Sequence, residues 1–259
     1  MLQHTEIDVR GCKLNLHRGG HGEPLLFLHG AQGLSDHEPG IEALTANFDV
    51  IAPDHPGFGK SDQCAAIDDI NDLALFYLDL LDALELDQLH IVGQCIGGWL
   101  ALEIAIRTTA PIKSLVLVNS AGLRIKGVPR ADMFVCSEAD LLKLLFAAEG
   151  AAEWLASWRA SPDLEDIYDR NRAAAARYSW SPRLCNPKLE HWLHRIDVPT
   201  HIIWGEQDRV IPPAYAAALK DRIAGATMAT LPDCAHMLHI EQPQAFASEV
   251  SQFIRRAAR

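Results

Sequence analysis

The chain has 259 residues, 49% of them hydrophobic, with a formal net charge of −11 at pH 7. That is enough apolar material for one sizeable core with an insertion, and the negative balance excludes the basic face that a nucleic-acid or anionic-membrane partner wants. No apolar run is long enough for a bilayer span, no basic-then-apolar leader is evident, and Cys12, Cys64, Cys95, Cys136, Cys185 and Cys234 lack paired spacing, so a cytoplasmic protein with reduced thiols is expected.

In chain order, residues 4–9 and 12–17 read as a strand pair. Residues 25–28 form an apolar run that ends in His29-Gly30-Ala31-Gln32, the pattern of a buried parallel strand entering a sharp turn. His29 is read as a brace for that turn rather than as a catalytic group. A strand over 49–52 leads into Asp54-His55-Pro56-Gly57-Phe58-Gly59-Lys60-Ser61-Asp62. The spacing of Leu73, Phe76, Tyr77, Leu80, Leu81 and Leu84 predicts an amphipathic helix over 67–84.

Residues 89–92 form another apolar strand, followed by Gly93-Gln94-Cys95-Ile96-Gly97-Gly98 and a helical stretch over 99–105. Strand, tight turn and helix are the setting of a nucleophile elbow, with a thiol where G-x-S-x-G places a hydroxyl. Glycines flank a nucleophile on such a turn because neighbouring backbone must come close. The turn also puts Cys95 at a helix N-terminus, where free N–H groups and the helix dipole favour a thiolate. The backbone N–H groups of Ile96 and of Ala31, at the end of the earlier strand, are candidate oxyanion donors.

After a strand over 112–119 the alternation stops. Residues 123–195 are rich in helical apolar patterns, including Leu141, Leu142, Leu144, Leu145 and Phe146, then Trp154, Leu155 and Trp158. The stretch interrupts a sheet pattern, so it is expected over the strand ends as a cap. Trp154 and Trp158 share a helix face that packs on the core or lines the pocket. Glu190, His191 and His194 have helical spacing but read as a solvated face rather than a metal site. A strand over 200–204 precedes a turn with two carboxylates, of which Asp208 is the candidate acid and Glu206 the fallback. A last strand, 227–231, leads to His236, the candidate general base, and to His239, which is expected to pack at the start of the terminal helix.

The order nucleophile, acid, histidine, together with the His29-Gly30 turn and the D-x-P-G-x-G-x-S turn at Asp54, resembles the α/β-hydrolase superfamily from about residue 5 to the end, outside the middle insert. The resemblance implies an α/β fold: a mostly parallel sheet flanked by helices, with a core of residues 1–122 and 196–259 and a helical cap at 123–195. It carries Cys95 over as nucleophile, Asp208 as acid, His236 as base, and Ala31 and Ile96 as oxyanion-hole donors. Gln32, Gln94, Trp154 and Trp158 become candidate substrate contacts. Two departures stand out: Cys for the usual Ser, and Ala235 where Gly usually precedes the histidine.

The expected activity is hydrolysis of an ester, lactone or thioester of a small organic acid through a Cys-His-Asp triad and an acyl-enzyme. The same fold offers carbon–carbon bond hydrolysis and acyl transfer as alternatives, and a non-catalytic ligand-binding protein is a rival of another class. Carbon–carbon hydrolases of this fold often carry Trp after the histidine, where this chain has Met237. No cofactor and no metal are expected. The expected partner is a small acyl substrate, not nucleic acid or membrane, with the chain a monomer or homodimer.

Overall fold

Apolar runs punctuated by glycine and proline order this chain as alternating strands and helices. A computed structural model describes residues 2–147 and 164–258. Among these, eight strands form one sheet: β1 (Gln3–Val9), β2 (Cys12–Gly20), β3 (Glu23–Leu28), β4 (Phe48–Pro53), β5 (Leu89–Gln94), β6 (Ile112–Val118), β7 (Thr200–Gly205) and β8 (Thr227–Leu231). Their spatial order is β1-β2-β4-β3-β5-β6-β7-β8. The first two pairings, β1 with β2 and β2 with β4, are antiparallel, and all later pairings are parallel.

The period of two along each strand divides the core into two layers. Leu26 and Leu28 of β3, Ile91 of β5 and Leu115 and Leu117 of β6 face one layer, filled by α2 (Ile70–Ala83) and α3 (Ile96–Arg107). Leu25, Phe27, Val92, Val116 and Val118 face the other, filled by α1 (Pro39–Leu44) and the C-terminal helix α8 (Pro243–Ala257). Strands β5 and β7 are buried at every position, and their histidines are paired there, His90 with Ser114 Oγ at 2.8 Å and His201 with Thr227 Oγ1 at 2.7 Å.

The helix expected over 67–84 starts three residues later. Asp69 is its N-cap, its carboxylate accepting from the N–H groups of Asn71 (2.7 Å) and Asp72 (3.0 Å). Ile67 is buried in the loop before that cap, so its apolar character belongs to tertiary packing and not to the helix stripe.

Between β6 and β7 lie α4 (Glu138–Leu145), α5 (Leu164–Ser179) and two short 3-10 turns, Leu189–His191 and Leu193–Arg195. The two legs of this segment meet where it leaves and rejoins the sheet. Gly122 N–H donates to Leu184 O at 3.1 Å, Asn186 N–H to Gly122 O at 2.9 Å, and the Arg130 guanidinium spans Leu123 O, Arg183 O and Leu184 O. Helix α5 then lies across the loops that follow β3 and β4. Asn171 donates to Gln32 O (2.8 Å) and accepts from Gly59 N–H (2.9 Å), while Tyr178 Oη donates to Pro56 O (2.8 Å). Helix α5 therefore lies at the carboxyl ends of β3 and β4, the end of the sheet at which open α/β folds bind ligands.

Further along, α6 (Ala214–Arg222) and α7 (Leu238–Glu241) complete the helices among the described residues. His191 and His194 are exposed there, and Glu190 pairs with Arg222 at 3.5 Å. No described helix is long and apolar enough to cross a membrane.

Candidate active site

Strand β5 delivers Cys95 to a turn with φ 54° and ψ −116°, a conformation that L-residues avoid. Such strain costs on the order of 1–3 kcal/mol and persists only where surroundings over-determine it. Here Cys95 N–H donates to Val118 O at 3.0 Å, and Cys95 O accepts from the N–H groups of Trp99 (3.1 Å) and Ala121 (2.9 Å). Close approach also explains Gly97, since a Cβ there would stand 2.0 Å from Leu28 O. The thiol is buried, 1% exposed, at the start of α3.

Beyond β7, the chain turns at Gly205 and brings Asp208 back beneath the same opening. One carboxylate oxygen, Oδ1, accepts from the N–H groups of Val210 (2.8 Å) and Ile211 (2.9 Å), which fixes its orientation. The other, Oδ2, accepts from His236 Nδ1 at 2.8 Å. Glu206 is exposed two residues earlier, with its N–H in the ladder to Leu231 O, so the deeper carboxylate is the one that meets the imidazole.

With Nδ1–H committed to Asp208, the His236 ring presents Nε2 as its free nitrogen. That atom is buried and has no hydrogen-bond partner. The Cys95 thiol lies close enough to act on the ring, without the geometry of a formed hydrogen bond. Contacts of this kind are often long before substrate binds. Burial by itself pushes the His236 imidazole down, but Asp208 and then Cys95 outweigh it, and the ring titrates at about 10. Sulfur, imidazole and carboxylate, drawn from distant parts of the chain, thus lie together, each of them buried.

The β3 turn closes the other side of the elbow. A Cβ on Gly30 would stand 3.0 Å from Cys95 Cβ and 2.0 Å from Gln94 Oε1, so the Gly30-Ala31 backbone passes beside the nucleophile. Ile96 is the first residue of α3, and its N–H is one of those a helix leaves without an internal partner. His29 braces this turn, as its sequence position suggests. Its Nδ1–H donates to Gly30 O (2.8 Å) and its Nε2 accepts from His55 N–H (3.0 Å). Burial, then the neighbouring His55, hold the ring well below the usual imidazole range. His239 is also buried, 3% exposed, with Nε2 3.8 Å from Glu38 Oε2, and burial pushes it down to about 3.

Not every expected contact holds a free group. Gln94 is 2% exposed, and its side-chain amide donates to His236 O at 3.2 Å, which makes it a brace for the base loop rather than an open substrate contact. Gln32 is half-buried and engages α5 through its carbonyl. Trp154 and Trp158 lie outside the described residues.

Two bracing residues carry no recognisable signal in the sequence. Asn119, at the end of β6, donates to Ala235 O and His236 O. Glu241 accepts from the N–H groups of Ala235 and Ala147, both at 2.7 Å. A polar residue closing an apolar strand and a carboxylate before Pro243 would be the only hints.

A strained cysteine turn at the carboxyl edge of a parallel sheet, beside a carboxylate and a histidine from the loops after the last two strands, is an arrangement found in hydrolytic enzymes. Residues 25–249 match the alpha/beta hydrolase family, and the chain belongs to it as an enzyme of the hydrolase class. It is similar to 2-hydroxymuconate semialdehyde hydrolase of Pseudomonas sp. strain CF600, 31% identical over 273 residues, covering 97% of this chain and 94% of the relative. It is also similar to 2-hydroxy-6-oxo-6-phenylhexa-2,4-dienoate hydrolase of Burkholderia cepacia, at 28% identity over 93% and 91% of the two chains. Among solved structures, a mutant meta-cleavage product hydrolase from Pseudomonas fluorescens IP01, complexed with acetates, superposes with a TM-score of 0.80 at 26% identity, covering 98% of each chain. These relatives are carbon–carbon bond hydrolases, which moves the weight from ester cleavage, the first expectation from sequence, to its carbon–carbon alternative.

Proposed function

We propose that this protein hydrolyses a small oxo-acid through a covalent acyl-enzyme on Cys95, cleaving the bond between a carbonyl carbon and a carbon leaving group. The observation that carries the reading is the Asp208–His236 contact of 2.8 Å with the other ring nitrogen left free toward a strained thiol. The relatives' names describe hydroxylated, conjugated 6-oxo-dienoates and a semialdehyde, and a conjugated dienoate can accept the electron pair of a departing carbon as an enolate.

In this reading the proton of the Cys95 thiol rests on His236, whose raised pKa holds it there, and the sulfur attacks the carbonyl carbon. The oxyanion of the tetrahedral intermediate lies against the N–H groups of Ala31 and Ile96, a contribution of about 3 kcal/mol per donor where such donors have been removed in other enzymes. The carbonyl–carbon bond breaks, His236 returns its proton to the leaving carbon, and an S-acyl thioester remains. Water, deprotonated by His236, then attacks the thioester, and the thiol leaves with that proton. Asp208 holds the ring in the required tautomer and stabilises the imidazolium at each stage. Helix α5, across the loops after β3 and β4, belongs in this reading to a cap that excludes bulk water and strengthens these contacts.

Ester or thioester hydrolysis is the second reading, favoured by two observations: the nucleophile is sulfur, and Met237, not Trp, follows the base. The test is a panel of 2-hydroxy-6-oxo-dienoates, p-nitrophenyl esters and acyl thioesters, compared by kcat/KM on wild type and Cys95→Ser. Preference for the dienoates supports the first reading. Turnover confined to esters or thioesters replaces it with the second, and a single permanent acyl adduct in the mass spectrum removes both.

A further inference from the structure

Backbone hydrogen bonding between the β7 and β8 sides runs past the strands through Glu206 N–H to Leu231 O and Gln207 N–H to Cys234 O, both at 2.9 Å, and stops short of Asp208 and His236 themselves. Past that point the acid loop and the base loop need other means to keep their spacing. At the seam between them stands Asn119, fully buried, with φ 45°, a left-handed conformation in which Asn is enriched. Its N–H continues the sheet by donating to Ile203 O at 3.1 Å.

The Asn119 carboxamide then reaches both loops. Its Oδ1 accepts from Gly205 N–H at 2.9 Å, the residue whose carbonyl receives Asp208 N–H to form the acid turn. Its Nδ2 donates to Ala235 O at 3.0 Å and to His236 O at 2.8 Å, which uses both of its protons. The Gln94 amide supplies a second donor to His236 O, at 3.2 Å. The two loops touch through backbone here, since a Cβ on Gly205 would stand 2.1 Å from Ala235 O. A carboxylate in place of the amide would face two carbonyl oxygens with no proton to offer, so the group must be an amide.

We propose that Asn119 is a positioning residue for the Asp208–His236 pair, its amide fixing the loop that carries the acid against the loop that carries the base, with Gln94 as an auxiliary donor on His236. The inference rests on the reading of Cys95, His236 and Asp208 as the catalytic groups. Misplacement of a reacting group by about 1 Å costs roughly 10²-fold in rate, and loss of the hydrogen bonds across the seam permits a shift of that size.

Three readouts test it: p-nitrophenyl acetate hydrolysis, the rate of Cys95 alkylation by iodoacetamide, and the NMR titration of the His236 ring. In Asn119→Ala, kcat and the alkylation rate fall roughly 10²-fold with KM nearly unchanged, and the His236 titration moves down from about 10 as the ring loosens from Asp208. Asn119→Ser, which keeps one donor, recovers part of each, and Gln94→Leu shows the same signs more weakly. If Asn119→Ala does not fold, the serine and leucine variants carry the test. A folded variant set with lowered melting temperature but unchanged titration and alkylation overturns the proposal. His236→Ala separates the two levels: full activity there sinks the catalytic reading itself, whereas an inactive His236→Ala beside an unaffected Asn119→Ala sinks only the positioning role.

Discussion

Two buried histidines flank the Cys95 elbow, and they differ in everything except burial. His236, on the β8 side, is 1% exposed, has one nitrogen on a carboxylate and the other free, and titrates at about 10. His29, on the β3 side, is equally buried at 1%, but backbone groups satisfy both its nitrogens and its pKa is pushed well down. Burial alone makes an imidazole neutral and inert. A carboxylate partner, together with a second nitrogen that nothing occupies, makes one that can take and return a proton. On the proposed mechanism the β7–β8 side of the site moves a proton, and the β3–β4 side holds a backbone still.

The sharpest way to break that contrast is to remove the groups on the proton-moving side. His236→Ala and Cys95→Ala are each expected to lower kcat by roughly 10⁴-fold or more, and the double variant to lose little beyond either single one, because groups that act as a unit are not additive. Steady-state rates on the best substrate of the panel decide it; additive losses would mean the two groups do not cooperate. Asp208→Asn is expected next, with kcat lowered by about 10³- to 10⁴-fold. The amide still accepts from Val210 and Ile211 N–H, so folding survives, but it no longer holds the His236 proton. The His236 titration then moves down from about 10, visible in the NMR titration of the ring.

On the rigid side, Gly30→Ala should act mainly on rate. Its Cβ meets Gln94 Oε1 at 2.0 Å and Cys95 Cβ at 3.0 Å, so the Gln94 amide and the Gly30-Ala31 backbone must give way beside the elbow. The loss of one aligned oxyanion donor is worth about 10²- to 10³-fold in kcat, with KM little changed and the His236 titration moved only as weakly as in Gln94→Leu. A rise in KM alone would place the Ala31 turn in substrate binding instead.

The contrast also marks what the amino-acid sequence discloses. Cys95, Asp208 and His236 each follow an apolar strand and sit in a loop with few competing groups, so strand-and-turn punctuation is enough to single them out. His29 reads as a brace because it is too close to its own strand end to reach across, and its two backbone contacts agree with that. Gln94 misleads because adjacency to a nucleophile in sequence says nothing of direction. Its amide points at the His236 loop, a contact across 142 positions. Asn119 is invisible for the same reason, since its partners are carbonyls on loops that only the sheet order brings together. Helix α2 begins at Ile70 rather than Ile67 because Asp69 caps its N-terminus, which leaves Ile67 buried in the preceding loop. Even the chemistry follows this division: local motifs name a candidate nucleophile, but the bond a hydrolase cleaves depends on a pocket whose lining is assembled from distant segments.

The smallest expected effect on rate separates the two histidines most cleanly. His29→Gln should leave kcat within a few-fold, because the ring it removes is neutral and reaches no reacting atom, and should act instead on acid stability. A histidine whose folded pKa is depressed contributes stability that is present above its unfolded value of 6.5 and is lost as pH falls, because the unfolded chain takes the proton first. His55, at about 4, and His239, at about 3, have the same sign, so the three together make stability decline from pH 6.5 toward 3. Glu38 opposes them in part. Burial raises it to about 7, so its contribution is full below 4.5 and is lost as pH rises through 7. His236 works on the alkaline side, its contribution full below 6.5 and gone once pH passes about 10. Denaturant melts from about pH 4 to 8 should therefore show a shallower acid slope for His29→Gln than for wild type, with absolute stability near neutral pH lower by about 1–3 kcal/mol from the lost buried hydrogen bonds. An unchanged acid slope would mean that His29 carries its proton in the folded state, and the β3 turn would then hold a charge against the elbow rather than a neutral brace.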